Sequence, residues 1–396
     1  MKLFVDGRSK VFDELKGLQL ASHKIIWFHC ASLGEYEQGV PVMQLLKKQY
    51  TDYKILVTFF SPSGYEAKKR SALADHITYM PLDTPKNVSC FLNYVQPAIA
   101  IFVKYEFWPN FISGLHKRNI PLLIISASFR RDQAIFKTYG KFLRNKLALV
   151  NHFFVQDEHS IQLLKSIHFS NVTLSGDTRF DRVSQQIAMD NTIDFIDHFI
   201  NNRKCIVIGS SWSEDEDVFV KFINNSDNST CFIIAPHEIK TENIKSLRSK
   251  ITKEIVLFSN RNTYPIHEKS YPQVCIVDSI GILSKLYSYA DVAYVGGAMG
   301  TTGLHNILEP ATFGVPILIG KNFEKFREAK QLQKLAGLFS IATSQEFEDA
   351  MNKLLKDKSY REKTGMIAEH FVNSNTGATV IISQYIASNK LLNTDK

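Results

Sequence analysis

Short, unbroken apolar runs alternate with longer amphipathic segments along the whole chain, and this pattern constrains the fold more than any other feature. Residues 25–29, 54–60, 77–80, 98–103, 121–126 and 153–156 read as strands. Residues 36–50, 62–72, 85–95, 107–117 and 133–149 carry helical spacing between them. A half-exposed strand alternates apolar and polar residues; these runs do not, so both faces are covered, as in a parallel sheet between layers of helices. A long polar helix predicted around 181–202 interrupts the series. A second series follows, with strands at 205–209, 230–235, 255–258, 274–277, 292–295 and 316–319 and helices at 215–223 and 238–251. A last amphipathic helix is predicted over 378–391. The expected fold is α/β, with two Rossmann-like doubly wound domains facing a cleft. Its expected divisions are 1–185, 186–375 and a C-terminal helix in 376–396 packing back on the first domain. Ligands of such sheets sit at the carboxyl ends of the strands, so each domain offers a half-site.

Composition narrows the class. Of 396 residues, 44% are hydrophobic and 22% charged, which excludes disordered, collagenous and coiled-coil chains. No apolar run approaches the roughly 18–20 residues of a spanning helix, and the first residues lack the apolar core of a secretory signal. The five cysteines are scattered without a Cys-x-x-Cys pair and read as buried thiols in a reducing compartment. Charge is uneven. Residues 1–185 hold 24 Lys and Arg against 15 Asp and Glu, while the remainder holds 23 against 24. A basic first half suggests an anionic partner: a nucleic acid, a membrane surface or a phosphorylated substrate. No aromatic–basic interleaving or helix-turn-helix pattern supports nucleic acid.

Five motifs follow predicted strands. His29-Cys30-Ala31-Ser32-Leu33-Gly34-Glu35 places Glu35 at a helix N-terminus after a turn eased by Gly34. Two readings stand: Glu35 caps its helix together with Ser32, or its carboxylate is a general base that takes a proton from a hydroxyl. In Lys104-Tyr105-Glu106-Phe107-Trp108, Lys104 and Glu106 either line a cleft or pair locally, and the two aromatics read as core. Gly176-Asp177-Thr178-Arg179 suits an anion or ribose contact, or a turn with a helix cap. Gly209-Ser210-Ser211 before a helix suggests a phosphate cradle, and the acidic run 214–217 after it compensates the helix dipole. The most specific motif, residues 295–310, has four glycines in eight residues (Gly296, Gly297, Gly300, Gly303) and then His305-Asn306-Ile307-Leu308-Glu309-Pro310. It predicts close backbone approach to a ligand and a free helix N-terminus, with His305 and Asn306 in the first turn and Glu309 one turn on.

Taken together, these motifs, with Asp278–Gly281, Tyr287, Asp291 and Gly314-Val315-Pro316, resemble those of the Kdo transferases, which attach 3-deoxy-D-manno-octulosonic acid (Kdo) to the lipid A precursor of Gram-negative bacteria. The resemblance runs from about residue 3 to about residue 381. It implies a glycosyltransferase-B fold with the acceptor on the N-terminal domain and the donor substrate CMP-Kdo on the C-terminal one. It further implies an inverting transfer needing no metal and no other cofactor. Glu35 then takes the general-base role. Gly297, Gly300, Gly303, His305, Asn306 and Glu309 hold the donor, supported by Ser210, Ser211 and His237. Ser32, Gly34, Lys104, Glu106, Arg130 and Arg179 line the acceptor side. Lys68, Lys69, Arg70, Arg130 and Arg131 become candidate contacts to acceptor phosphates or to an anionic inner-membrane surface.

Three departures accompany the resemblance. The family usually has Pro-Arg-His where this chain reads Ala235-Pro236-His237-Glu238, so one donor-side Arg is missing. Its Asn-Ala-Arg-type segment is here Ser126-Ala127-Ser128-Phe129-Arg130, which shifts the basic contact by one or two residues. Many members begin with an apolar anchoring helix, and this chain starts just after where it would lie. The expected location is therefore the cytoplasmic face of the inner membrane, held peripherally or by an anchor absent from this chain. The competing enzyme reading is a UDP-sugar 2-epimerase of the same fold. A two-domain binding protein is the competing non-enzyme reading.

Overall fold

The structure, a computed structural model, describes residues 2–263 and 272–393. Among them the chain builds two seven-stranded sheets in which every pairing is parallel. The first holds β1 (Lys24–Cys30), β2 (Tyr53–Phe59), β3 (His76–Tyr79), β4 (Ile99–Val103), β5 (Leu122–Ala127), β6 (His152–Val155) and β7 (Val172–Leu174) in the order β3-β2-β1-β4-β5-β6-β7. The second holds β8 (Lys204–Ser211), β9 (Thr230–Pro236), β10 (Ile255–Leu257), β11 (Val274–Ile276), β12 (Val292–Val295), β13 (Ile317–Gly320) and β14 (Leu338–Ile341) in the order β10-β11-β9-β8-β12-β13-β14. In each sheet the winding reverses beside the first strand. The reversal puts a topological switch point, where α/β sheets hold ligands, between β1 and β4 and between β8 and β12.

Strand β1 shows why these runs are apolar without alternation. Ile26, Phe28 and Cys30 enter one core with Ile55, Val57, Ile99 and Ile101. Ile25 and Trp27 enter the opposite core with Leu56, Ala100 and Phe102. Successive side chains thus bury on opposite faces of one sheet.

The chain divides into two compact units, residues 1–182 with 375–396, and residues 183–374. The last helix, Ala378–Ser388, returns to the first unit and lays Ile382 and Ile386 into the core formed by Met43, Leu46 and Tyr53. Its start is fastened by Asp181, which accepts from the N–H of Gly377 (2.6 Å), the N–H of Thr379 (3.0 Å) and the Thr379 hydroxyl.

Two predicted helices are broken. The long polar helix over 181–202 is instead a helix at Thr178–Ser184, a 3₁₀ turn at Gln185–Ala188 and a helix at Asp194–Ile200. Between them the Asn191 amide donates to the carbonyls of Gln186 and Met189, and Asp190 accepts from the N–H of Thr192 at 2.9 Å. Such short polar side chains offer the backbone a competing set of hydrogen bonds. The predicted helix 133–149 is two 3₁₀ turns, Ala134–Phe136 and Thr138–Gly140, followed by a helix at Lys141–Leu147. Gly140 passes so close to Ala134 that a Cβ would lie 2.0 Å from its carbonyl oxygen. Arg144 then clasps the carbonyls of Ile135 and Lys137 at 2.8 and 2.7 Å.

Candidate functional site

At the switch point of the first unit, helix Leu33–Gln49 opens three residues after β1 with Ser32 as N-cap. Glu35 Oε2 accepts from the backbone N–H of Ser32 (2.8 Å) and from the Ser32 hydroxyl. The capping reading of Glu35 is therefore present. It occupies one oxygen only, and Oε1 faces Lys104 Nζ at 3.7 Å. Lys104 reaches it because the chain leaves β4 in the left-handed region, at φ 67°. Gly34 needs no such freedom. Its φ is not positive and a Cβ would meet only Ser32 Oγ, at 3.7 Å, so the expected glycine turn is absent.

Lys104 and Glu106 do not pair with each other. Glu106 Oε2 accepts from Trp108 Nε1 at 3.1 Å and lies 3.7 Å from His29 Nε2. Trp108 Nε1 also points at His29 Nε2, 3.1 Å away. An indole can only donate, so Nε2 of this wholly buried imidazole accepts and Nδ1 carries the proton toward Thr58 Oγ1 at 2.9 Å. Trp108, read from sequence as core, thus also joins the polar network after β4. His29 and Thr58 received no role from sequence, although polar residues inside otherwise apolar strands were the available signal.

Arg179 is fixed by Asp177, which takes its Nε and its Nη2 at 2.8 Å and also accepts from Gln38 Nε2 at 3.1 Å. Burial works against the charged Asp177 carboxyl. The Arg179 guanidinium and these hydrogen bonds nonetheless hold it below the usual range. Gln38 lies one helical turn beyond Glu35, which ties this pair to the same helix. Arg130 is not gathered with Glu35. It is solvent-exposed, pairs with Asp132 at 3.7 Å and lies over the Tyr105 ring. Lys68 pairs with Glu37 at 2.7 Å and Lys69 with Glu66, so only Arg70 and Arg131 of the remaining predicted contacts lack an ion pair among the described residues.

In the second unit the switch point is organised by a residue that sequence read only as a dipole-compensating acid. Asp215 is fully buried. Its Oδ2 accepts from the N–H of Trp212 (2.8 Å) and of Gly297 (2.9 Å), and its Oδ1 from the Tyr294 hydroxyl (2.7 Å). One carboxylate therefore joins the helix start at Ser213, strand β12 and the glycine loop. The expected Gly-Ser-Ser phosphate cradle is absent, because β8 continues through Ser211. The strand persists because Gly296 N donates to Gly209 O at 2.9 Å and Ser211 pairs in register with Pro236. Ser210 sits in a bulge at φ 55°. Ser211 is 3% exposed and its buried hydroxyl has no hydrogen-bond partner.

The glycines are required where the loop is tightest. A Cβ on Gly296 would lie 2.4 Å from Ser210 O, and one on Gly297, at φ 95°, would lie 2.2 Å from Gly303 O. The helix after the loop starts only at Leu308 and ends at Thr312. His305 and Asn306 therefore precede it, and the expected free helix N-terminus after Gly303 is absent. What replaces it is a ring cluster. His237, stacked on Trp212 at 4.5 Å, lies 4.4 Å from the His305 ring, and Trp212 Nε1 donates to His305 Nε2 at 3.1 Å. The remaining nitrogen, Nδ1, then carries the His305 proton and can donate. Asn306 Nδ2 donates to Glu309 Oε1 at 3.1 Å, and burial together with the negative charge of Glu309 raises the Tyr287 phenol.

Burial, reinforced by neighbouring His237, lowers the His305 pKa to about 4. The unfolded chain, with an ordinary imidazole near 6.5, therefore binds more protons between those values. The contribution of neutral His305 to stability is full above about 6.5 and is expected to fall as pH drops toward 4. Thermal unfolding followed across that window should show the loss, and His305→Gln should flatten it; an equally steep profile in the variant would contradict the assignment.

A family model described as 3-deoxy-D-manno-octulosonic-acid transferase (kdotransferase) matches residues 7–182. The 3-deoxy-D-manno-octulosonic acid transferase of Haemophilus influenzae is 27% identical over 366 residues, spanning 89% of this chain and 84% of that protein. Its namesake from Aquifex aeolicus is 28% identical over 338 residues, spanning 84% and 86%. The chain is thus similar to Kdo transferases along most of its length. Among solved structures, the fold of this chain is similar to that of UDP-GlcNAc 2-epimerase from Neisseria meningitidis, with a TM-score of 0.65 and 15% identity over 92% of this chain and all of that one. It is likewise similar to a glycosyltransferase from Rickettsia africae, with a TM-score of 0.60 and 11% identity over 94% and all. At such identities the likeness concerns the fold, two doubly wound units of the glycosyltransferase-B type. No described helix is long and apolar enough to cross a membrane.

Proposed function

We propose that this transferase moves Kdo from CMP-Kdo to a lipid A precursor of the lipid IVA type in lipopolysaccharide inner-core synthesis, with inversion and without a metal. The observation that carries the reading is Glu35, at the end of β1 in the stretch matched to the family, with Oε2 fixed by Ser32 and Oε1 available beside Lys104. A glucosamine hydroxyl of the acceptor attacks the anomeric carbon of Kdo, and its proton passes to Glu35 Oε1. The bond from that carbon to CMP breaks, and its electron pair leaves on the phosphate. Lys104 and Arg179 on the first unit supply positive charge for an acceptor that carries phosphates, in keeping with that half's basic surplus.

The second unit holds the donor. In place of a helix N-terminus, the phosphate charge is met by the Nδ1–H of neutral His305. Donors fixed before the reaction cost little reorganisation as charge develops. Asn306 and Glu309 bind the ribose hydroxyls in this reading. Transfer over epimerisation is favoured because the sequence relatives are transferases, whereas the epimerases share the fold alone. The proposed site of action is the cytoplasmic face of the inner membrane.

Release of CMP from CMP-Kdo tests the reading. It should depend on the lipid acceptor and persist undiminished after EDTA treatment. Complete loss of turnover with EDTA, restored by magnesium, would refute the metal-free scheme.

A further inference from the structure

We propose that Asn322 is a positioning residue for the donor phosphate: it takes three consecutive carbonyls of the glycine loop and so aims the opposite N–H groups, those of Met299, Gly300 and Thr301, across the loop as an anion seat. This rests on, and deepens, the reading of a phosphate-bearing donor on the second unit. The backbone N–H of Asn322 donates to Ala298 O at 2.8 Å. Its side-chain Nδ2 donates to Met299 O at 3.0 Å and to Gly300 O at 2.9 Å. In a trans peptide the C=O and the N–H point in opposite directions. The N–H groups of the same three peptide units, on Met299, Gly300 and Thr301, therefore face away from Asn322. None of them donates to another group among the described residues. Consecutive backbone N–H groups held to one side suit an anion.

The fold decides which side that is. Strand β12, from which the loop leaves, pairs with β13 on one side and with β8 on the other. Asn322 lies just past the end of β13, so it grips the loop from that side and the N–H groups face the β8 side, where the switch point lies. The grip is built in. Gly320 brings the end of β13 so close to the loop that a Cβ there would lie 2.3 Å from Met299 N. Phe323, beside Asn322, is buried, and its carbonyl accepts at 2.8 Å from the N–H of Phe326, whose ring would touch a Cβ on Gly303. Asn322 itself is exposed, so its hydrogen bonds serve the loop and not the core. Glu214 approaches from the β8 side, its Oε1 2.9 Å from where a Cβ on Gly300 would stand, which marks that face as open to a small anionic group. Glu214 is exposed and accepts only from the adjacent Ser213 hydroxyl among the described residues, so it can turn to solvent when a phosphate enters.

Calorimetric titration of the full chain with CMP and with cytidine tests the assignment, because the two differ only in the phosphate. The parent should prefer CMP. Asn322→Ala should weaken CMP by roughly tenfold or more, the usual effect of losing a hydrogen bond to a charged group, and should leave cytidine affinity and melting temperature unchanged. Asn322→Asp keeps the shape but loses the side-chain N–H donors, so it should weaken CMP at least as far. An alanine variant that binds CMP as tightly as the parent would overturn the proposal. So would equal losses for CMP and cytidine, which a merely loosened loop would give. A parent that does not distinguish CMP from cytidine would overturn it as well, while acceptor-dependent release of CMP from CMP-Kdo would still carry the transfer reading. An Asn322-dependent preference for UMP over CMP would uphold the phosphate seat and count against CMP-Kdo as the donor.

Discussion

Glu35→Gln is expected to lower transfer by at least about a hundredfold while leaving the affinity for CMP unchanged. The substitution keeps a carbonyl oxygen where Oε2 accepts from Ser32 and removes the basicity of the other position. Glu35→Ala should lose the same activity and, in addition, about 1 kcal/mol of stability, because it removes the carboxylate that accepts from Ser32 at the helix start. The pair of variants separates the two roles that the sequence left open. A purely capping residue would give a destabilised alanine variant with nearly full activity and a glutamine variant close to the parent. A base gives two inactive enzymes, of which only the alanine form melts early. Calorimetric CMP titration and melting curves on both proteins, beside the rate, distinguish the outcomes. Retention of more than about a tenth of the parent rate by the glutamine variant would remove Glu35 from the base role.

Asp215→Ala is expected to lower the stability of the second unit by roughly 3 kcal/mol or more, because three hydrogen-bond donors lose their acceptor in a buried place and each such loss costs about 1–3 kcal/mol. For a unit of this size that corresponds to a fall in melting temperature on the order of 10 °C. CMP affinity should fall with it, since the N–H of Gly297 is the point at which Asp215 holds the glycine loop. Asp217→Ala, two residues on and solvent-exposed, is the matched control and should change neither quantity. Asp215→Asn should lie between, because one amide oxygen still accepts while the NH2 group faces a donor. An unchanged melting temperature and intact CMP binding in the alanine variant would show that the loop is held by other means.

The layers of the fold were legible because burial on both faces forces unbroken apolar strands, and those runs fall on β1 to β6 and on β8 to β13 within a residue or two. The helices were less legible where short polar side chains compete with the helical ladder. Asn191 and Asp190 break the helix predicted across 181–202, and Gly140 folds the segment before Leu147 back on itself. The local geometry of the candidate site was less legible than its glycine pattern. A glycine loop after β12 was evident from Gly296 to Gly303. That the following helix waits until Leu308 was not, since Leu304 to Ile307 have no helix-breaking residue. Asp215 was hidden because an acid in the first turn of a helix has an ordinary explanation, and its three partners come from Trp212, Tyr294 and Gly297, two of them some 80 positions away in sequence. Lys104 was identified, but its partner was not, because the left-handed turn after β4 turns it from Glu106 toward Glu35.

Mass spectrometry of a lipid A precursor incubated with CMP-Kdo and either the parent enzyme or Glu35→Gln tests the central claim most directly. The parent should convert the precursor to a species heavier by whole Kdo residues, and the variant should leave it unchanged. A precursor untouched by a folded, CMP-binding parent, or one modified equally by both proteins, would contradict the account.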